Sequence, residues 1–390
     1  MKRAILPSLL WIAFLTSCAH SPQIERTQDS FHILSLNKEK TSNDEAVLLL
    51  HHSPEALLIK KDGTVLHSWK FPNAVLTGKL TSAGNFVGLF RDPQTNRRRV
   101  AGLIQIYNPQ SQLLWEFKDP GLHHDFDVTE SEDVYAIRYK AFSASAQKIF
   151  KSLPSKGNGQ PVCDEVIQIS KESSAIVWKL DLEDYFDFKK VRPTGLEHNY
   201  VAAFNVHPLC HANSVRFLKT NPINHQPAVL VSLRNLNTVL LVDRNSKRLL
   251  WKSPEGSLNH QHDARMYGDV ITVFNNNSSD AWNHTAPSEV KSFNLKSGEE
   301  RILFKQDAPD TYQPFTSATQ SGVEIEKNGN LLITNTDYSQ IWEVTPQGEP
   351  VLKIYTFSPY LSNELSSYVF RTESYDFASL KKMGLAGSAN

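Results

Sequence analysis

The chain has 390 residues, with 41 basic and 41 acidic side chains and a formal net charge of zero. That balance offers no basic stripe for nucleic acid and no electrostatic adhesion to a membrane surface. Three cysteines cannot make a disulfide scaffold, whereas 20 prolines and 17 glycines suit a chain with many turns and enough length for a large core.

The N-terminus reads as a targeting segment. Lys2 and Arg3 precede an apolar run from Ala4 to Leu15 that is too short to span a bilayer. The run closes in Leu15-Thr16-Ser17-Cys18, which resembles the lipobox of bacterial lipoproteins, where the cysteine is lipidated and becomes the mature N-terminus. A signal peptide over 1–17 and a lipid on Cys18 are therefore expected. Ala19 stands where an inner-membrane retention signal usually carries Asp, so attachment to the outer membrane is expected, on its periplasmic or surface side. Membrane contact is expected through this lipid only. Residues 18–45 are polar and read as a tether with an initial strand. Cys163 and Cys210 remain, and in an oxidising compartment they could pair.

From about residue 46 onward one unit recurs: an apolar strand, a polar turn and a strand ending near an aromatic residue. The copies are "ALLIKKDGTVLHSWKF" with Trp69, "LIQIYNPQSQLLWEF" with Trp115, "EVIQISKESSAIVWKL" with Trp178 and "VLLVDRNSKRLLWKS" with Trp251. Two weaker copies follow, "EVKSFNLKSGEERILF" with Phe304 and "QIWEVTPQGEPVLKIY" with Tyr355. Alternating Val, Leu and Ile around Asp-Gly, Ser-Gly or Gln-Gly marks β-hairpins. Further strand pairs such as "GKLTSAGNFVGLF" and "HQPAVLVSLRN" bring each unit to about four strands, with units roughly 45 to 75 residues apart. A four-stranded unit cannot bury both faces alone, and six matching copies point to radial stacking. The predicted fold is all-β, a six-bladed β-propeller over 46–382, with the hairpin aromatics filling the space between blades. Phe142 to Pro161 breaks the rhythm and reads as an insertion above one blade, a short helix followed by a loop at Gly157 to Gly159. The closing "MGLAGSAN", 383–390, reads as a frayed tail.

The histidines fall at one place in this repeat. After the Trp115 hairpin comes "GLHHDFDV", and after the Trp251 hairpin "LNHQHDARM", aligning His124-Asp125 with His262-Asp263. The same slot after the Trp178 hairpin holds "LCHANSVRFL", with His211 and Asn213, and after the Phe304 hairpin "TSATQSGVEI", with Thr319 and Ser321 opposite them. Equivalent positions in a propeller lie on one ring, so these groups are expected to converge at one mouth of the central channel. Arg234 ends the strand "AVLVSLRN" of the blade that begins with His211 and can reach the same mouth. A guanidinium beside imidazoles and an Asn amide describes an oxyanion site and argues against a divalent metal, and the HExxH spacing of zinc sites is absent.

"HHDF", "HANS" followed by "VSLRN", "QHDARM" and the late "NGNLLITNT…QIWEVTPQGEPV" together resemble the bacterial arylsulfate sulfotransferase (arylsulfotransferase, ASST) family, across nearly the whole mature chain. The resemblance implies a periplasmic six-bladed propeller that moves a sulfuryl group from one phenol to another by a ping-pong route, without a nucleotide sulfate donor and without a cofactor or metal. It implies that His262 is the nucleophile and becomes a sulfohistidine. It further implies that His124, His211, Asn213 and Arg234 hold the sulfate oxygens and handle protons, with Thr319 a weaker match to a late hydroxyl. Asp263 is expected to orient His262 or to cap the turn, and His123 and His260 fall outside the repeated slot. Partners are then a small phenolic sulfate donor and a phenolic acceptor. The family's extra N-terminal β-domain, which helps dimerisation, has no room here, and the oligomeric state stays open. Two alternatives remain at this level: a non-catalytic outer-membrane lipoprotein propeller that binds an anionic ligand or a partner protein, and metal-dependent hydrolysis.

Overall fold

The computed structural model describes residues 30–95, 101–150, 160–191, 193–194, 206–278, 286–306, 315–357 and 369–386. Cys18, the 1–17 segment and the loop at Gly157 to Gly159 lie outside the described residues. The strands form six sheets, each containing an antiparallel four-stranded path, and these are the blades of a six-bladed β-propeller; Val206–Pro208 adds to the third in parallel. From the axis outward the second blade runs Val75–Leu80, Phe86–Arg91, Gly102–Tyr107 and Leu113–Lys118. The third runs Leu122–Val128, Val134–Ala141, Gln160–Ile169 and Ile176–Asp181, and the fourth Ala212–Leu218, Ala228–Leu233, Thr238–Asp243 and Leu249–Lys252. The fifth runs His262–Tyr267, Val270–Asn275, Glu289–Asn294 and Glu300–Lys305. The sixth runs Gly322–Ile325, Leu331–Asn335, Gln340–Val344 and Pro350–Thr356, with Phe31–Leu36 added as an outermost fifth strand. The initial strand of the polar N-terminal stretch is thus hydrogen-bonded to the sixth blade.

Period-two alternation explains how each blade is buried on both faces. In Glu45–Leu50, Ala46, Leu48 and Leu50 enter the core between the first two blades, while Val47 and Leu49 enter the core shared with the sixth. Thr238–Asp243 repeats the device, with Leu240 and Val242 on one side and Val239 and Leu241 on the other. Five of the six hairpin aromatics reach across to the next blade. Trp69 lies 5.6 Å from Phe86, Trp251 5.6 Å from Phe293 and Phe304 6.3 Å from Trp342. The indole N–H groups of Trp115 and Trp178 donate to Ser174 Oγ and to the Arg244 carbonyl. Tyr355 departs from the expectation: it is 38% exposed, because strand parity turns Leu352 and Ile354 inward and leaves Tyr355 outside beside Phe357.

The ring closes through Glu373–Asp376, which pairs with Glu45–Leu50 as the innermost strand of the first blade. The following helix, Phe377–Lys382, is capped by Asp376, and Leu385 just beyond it is buried in the core between the first two blades, so this part of the closing segment is docked. The insertion does contain a short helix, Ala144–Phe150, whose Ala146 and Phe150 pack with Phe142 and Phe188.

The axis is filled by charge. Arg371, just before the closing strand, donates through Nη1 to Asp125 Oδ2 at 2.8 Å and Asp263 Oδ1 at 3.0 Å. Arg216 spans the same two carboxylates at 2.6 Å each, and Arg265 joins Asp263 to Glu373. Gly322 is required beside them, since a Cβ there would meet Asp263 Oδ2 at 2.5 Å. The third, fourth and fifth blades and the chain closure are thereby tied at the centre. Removing one cation from such a dry network leaves carboxylate charge uncompensated, at a cost of about 3–5 kcal/mol. Arg371→Met is therefore expected to lower unfolding stability by about 3–5 kcal/mol in urea titration, while Leu34→Ala on the exposed edge strand changes it by less than about 0.5 kcal/mol. Equal stability of the two variants would contradict a tie at the axis.

Candidate active site

The start of each inner strand and the end of the next strand lie at the same end of the propeller, because the strands are antiparallel. That end collects His124, His211, His262 and Arg234, the turn at Asn276 and the segment around Gln320. Backbone bonds between blades fix the register. Asp125 accepts from the Val215 N–H, Ser214 from the Ala264 N–H and Asp263 from the Val323 N–H. Asp125, Ser214, Asp263 and Gly322 are therefore equivalent, and the ring one residue earlier is His124, Asn213, His262 and Ser321. His211 is not in that ring: it enters from two residues before Asn213. Positive φ angles at His124, His211, Asp263 and Ser321 mark irregular entries into the inner strands, where side chains are re-aimed toward the mouth.

His262 is fixed by acceptors on one nitrogen. Its Nδ1 lies 3.1 Å from the His260 carbonyl and 2.8 Å from Asn276 Oδ1. The Asn276 amide nitrogen donates to the Ser317 and Gln320 carbonyls, which settles its orientation. With only acceptors before it, Nδ1 carries the proton and Nε2 holds the lone pair. In this structure that lone pair takes the Gln320 backbone N–H at 3.2 Å. Burial pushes the His262 imidazole from its ordinary 6.5 down to about 3, with Arg234 adding to the effect and the Asn276 bond opposing it. Asn276 lies in the turn after the second strand of its blade, outside the repeated slot, and no signal in the sequence marked it.

The other imidazoles form a chain. Asp164 Oδ1 lies 3.1 Å from His123 Nε2, His123 Nδ1 2.6 Å from His124 Nδ1, and His124 Nε2 3.1 Å from His211 Nε2. The second Asp164 oxygen accepts the Ala212 N–H, and Tyr139 stacks on His123 at 3.9 Å between ring centres. Water still touches His124 and His211, yet protein surrounds both, and this burial together with neighbouring imidazoles and Arg234 holds their pKa values well below the ordinary range. Cys163 and Cys210 form a disulfide, so the residues beside Asp164 and His211 are covalently joined. Arg234 is buried, its backbone N–H donating to the His211 carbonyl and its Nη1 to Asn235 Oδ1.

Several expected roles change. Asp263 does not touch His262; both its oxygens serve the axial arginines and Val323. Asn213 lies in the ring, but its amide nitrogen donates to the Gln261 carbonyl. Thr319 is half-buried with its hydroxyl 3.3 Å from Asp337 Oδ1, while its neighbour Gln320 is the residue that meets His262. His260 has both ring nitrogens engaged, with Thr194 and Ser278, and contributes its carbonyl to His262. His123 fell outside the repeated slot, yet it links Asp164 to His124. Arg371 stands beside the same centre, its Nη2 donating to the Asn213 carbonyl.

The arrangement is a buried, neutral nucleophilic nitrogen flanked by guanidinium groups and by imidazoles that can exchange a proton. The sequence model of the arylsulfotransferase (ASST) family matches residues 99–357, and the chain belongs to that family. No curated protein matches the chain. Among solved structures it is similar to a Bacteroides caccae protein of unknown function, at 13% identity and a TM-score of 0.51, covering 85% of this chain and 98% of that one. It is also similar to the WD40 domain of Neurospora crassa Pan2, at 10% identity and a TM-score of 0.44, covering 86% of this chain and 89% of that one. At such identities the likeness concerns fold alone.

The pKa shifts fix the sign of acid sensitivity. Unfolded imidazoles protonate at their ordinary 6.5, whereas folded His262 does so near 3, folded His51 near 4, and His124 and His211 well below the ordinary value. The unfolded state therefore binds more protons below pH 6.5, so the stability present above that pH is lost as pH falls. Between pH 6 and 4, His262→Asn should flatten the slope of unfolding free energy against pH by about one proton, ~1.4 kcal/mol per pH unit. Parallel curves for the two proteins would show that His262 is not buried neutral.

Proposed function

We propose that this chain is an aryl sulfotransferase that moves a sulfuryl group from a phenolic sulfate ester to a phenolic acceptor, through a sulfohistidine at His262 and without a nucleotide sulfate donor. The observation that carries the reading is the His262 tautomer: Nδ1–H is held by Asn276 and the His260 carbonyl, leaving Nε2 as a base-free nucleophile beside two arginines. Family membership supports the same reaction class.

In the first half-reaction the Nε2 lone pair forms a bond to sulfur while the sulfur–aryl oxygen bond breaks and the departing oxygen takes a proton. In the second, the acceptor hydroxyl attacks the same sulfur, the N–S bond breaks and the acceptor's proton is taken up. Nε2 first exchanges its contact with the Gln320 N–H for the sulfuryl group, and that N–H then faces the sulfuryl oxygens. Arg234 and Arg371 oppose the negative charge that gathers on those oxygens and on the leaving phenolate. Two displacements at one centre let donor and acceptor use the same site in turn.

We further propose that the chain is lipidated at Cys18 and works on the outer membrane, facing the periplasm or the exterior. The Cys163–Cys210 disulfide supports an oxidising compartment.

Brief exposure to an aryl sulfate, followed by intact and peptide mass analysis, is expected to show one added sulfuryl group on His262. His262→Asn should show none and transfer nothing, and Arg234→Ala should lower kcat by about 10²–10³-fold. An unmodified His262 in a protein that still transfers would overturn the sulfohistidine route, and no transfer at all would overturn the activity.

A further inference from the structure

The chain of polar contacts behind the candidate site has a direction. Asp164 can only accept from His123 Nε2–H, because its other oxygen already takes the Ala212 N–H. With that proton on Nε2, His123 accepts at Nδ1 from His124 Nδ1–H, and His124, kept neutral by burial, accepts at Nε2 from His211 Nε2–H. The series ends on His211 Nδ1, a buried lone pair with no hydrogen-bond partner. Each imidazole can accept a proton on one nitrogen and release one from the other, so a proton arriving at His211 Nδ1 is passed inward by successive shifts. The last ring of the series is His123, against the Asp164 carboxylate and under the Tyr139 ring.

We propose that Asp164 and His123 store the proton that the sulfuryl transfer moves, acting through His124 and His211. The proposal rests on the transfer reading above. It gives the two half-reactions one shared proton: His211 Nδ1 takes it from the acceptor hydroxyl as the N–S bond breaks, and the series keeps it on His123. His211 returns it to the leaving aryl oxygen when the next donor's sulfur–oxygen bond breaks and the new N–S bond forms. Over a full cycle no proton is gained or lost, and one aryl sulfate and one phenol become another aryl sulfate and another phenol. Neither Asp164 nor His123 touches substrate; both are positioning residues. The disulfide between Cys163 and Cys210 has its place here, because it joins the neighbours of the first and last members of the series.

The test is single-turnover release of phenol from two donors, phenyl sulfate and 4-nitrophenyl sulfate, by the intact chain and by Asp164→Asn and His123→Phe. Phenyl sulfate needs a proton at its leaving oxygen, whereas the nitrophenolate leaves without one. His123→Phe keeps the stacking on Tyr139 and cuts the series. Both variants are expected to slow phenyl sulfate by about 10²–10⁴-fold and 4-nitrophenyl sulfate by less than about 10-fold, with KM for both donors little changed. Losses of equal size with the two donors, or a loss confined to KM, would overturn the proton store while leaving sulfuryl transfer standing. Inactivity of the unaltered chain on both donors would instead overturn the transfer reading, and this proposal with it. A fall in folding of Asp164→Asn, read by thermal melting, leaves the decision to His123→Phe.

Discussion

The ion network at the propeller axis is the constraint on which the remaining geometry depends. Arg371 and Arg216 bridge Asp125 and Asp263, so the inner strands of the third, fourth and fifth blades are held at fixed separation by charge, and the closing strand is recruited to them. His124 and His262 are each one residue from a bridged aspartate. Their positions are therefore set by the same two carboxylates. Arg371 also bonds the Asn213 carbonyl, which brings the fourth blade's entry into the same frame. Gly322 allows this crowding, since a Cβ there would meet Asp263 Oδ2.

Burial, with Arg234 adding to it, gives the imidazoles their character. A histidine in water spends part of its time charged near neutral pH, and a charged ring is no nucleophile. Burial and nearby guanidinium groups keep His124, His211 and His262 neutral, while Asn276 decides which nitrogen of His262 is available. In the proposed transfer the cations that oppose protonation of the rings also face the anionic sulfuryl oxygens.

Much of this was legible in the sequence because it repeats. Hairpin alternation specified the blades, and the recurrent entry into each inner strand located His124, Asn213, His262 and Ser321. What repeats does not reveal is which hydrogen bond each residue makes. Asp263 follows His262 and was expected to orient it or to cap the turn, yet its oxygens take Arg216 and Arg371 instead. Asn276 and Asp164 come from segments outside the repeated slot, and Gln320, though inside it, contributes a backbone N–H that carries no residue signature. Tyr355 shows the converse error, an aromatic in the right repeat position but on the wrong strand parity.

Closure of the ring by Glu373–Asp376 has a consequence for biosynthesis. The chain is made from its N-terminus, so the five blades whose strands are contiguous in sequence, the second to the sixth, are available before residue 371 emerges. Until then Asp125 and Asp263 lack one of their shared cations, the first blade lacks its inner strand, and the histidines have an incomplete floor. Sequence order thereby makes the finished pocket a late event: its imidazoles come from the middle of the chain, and Arg371 completes their setting.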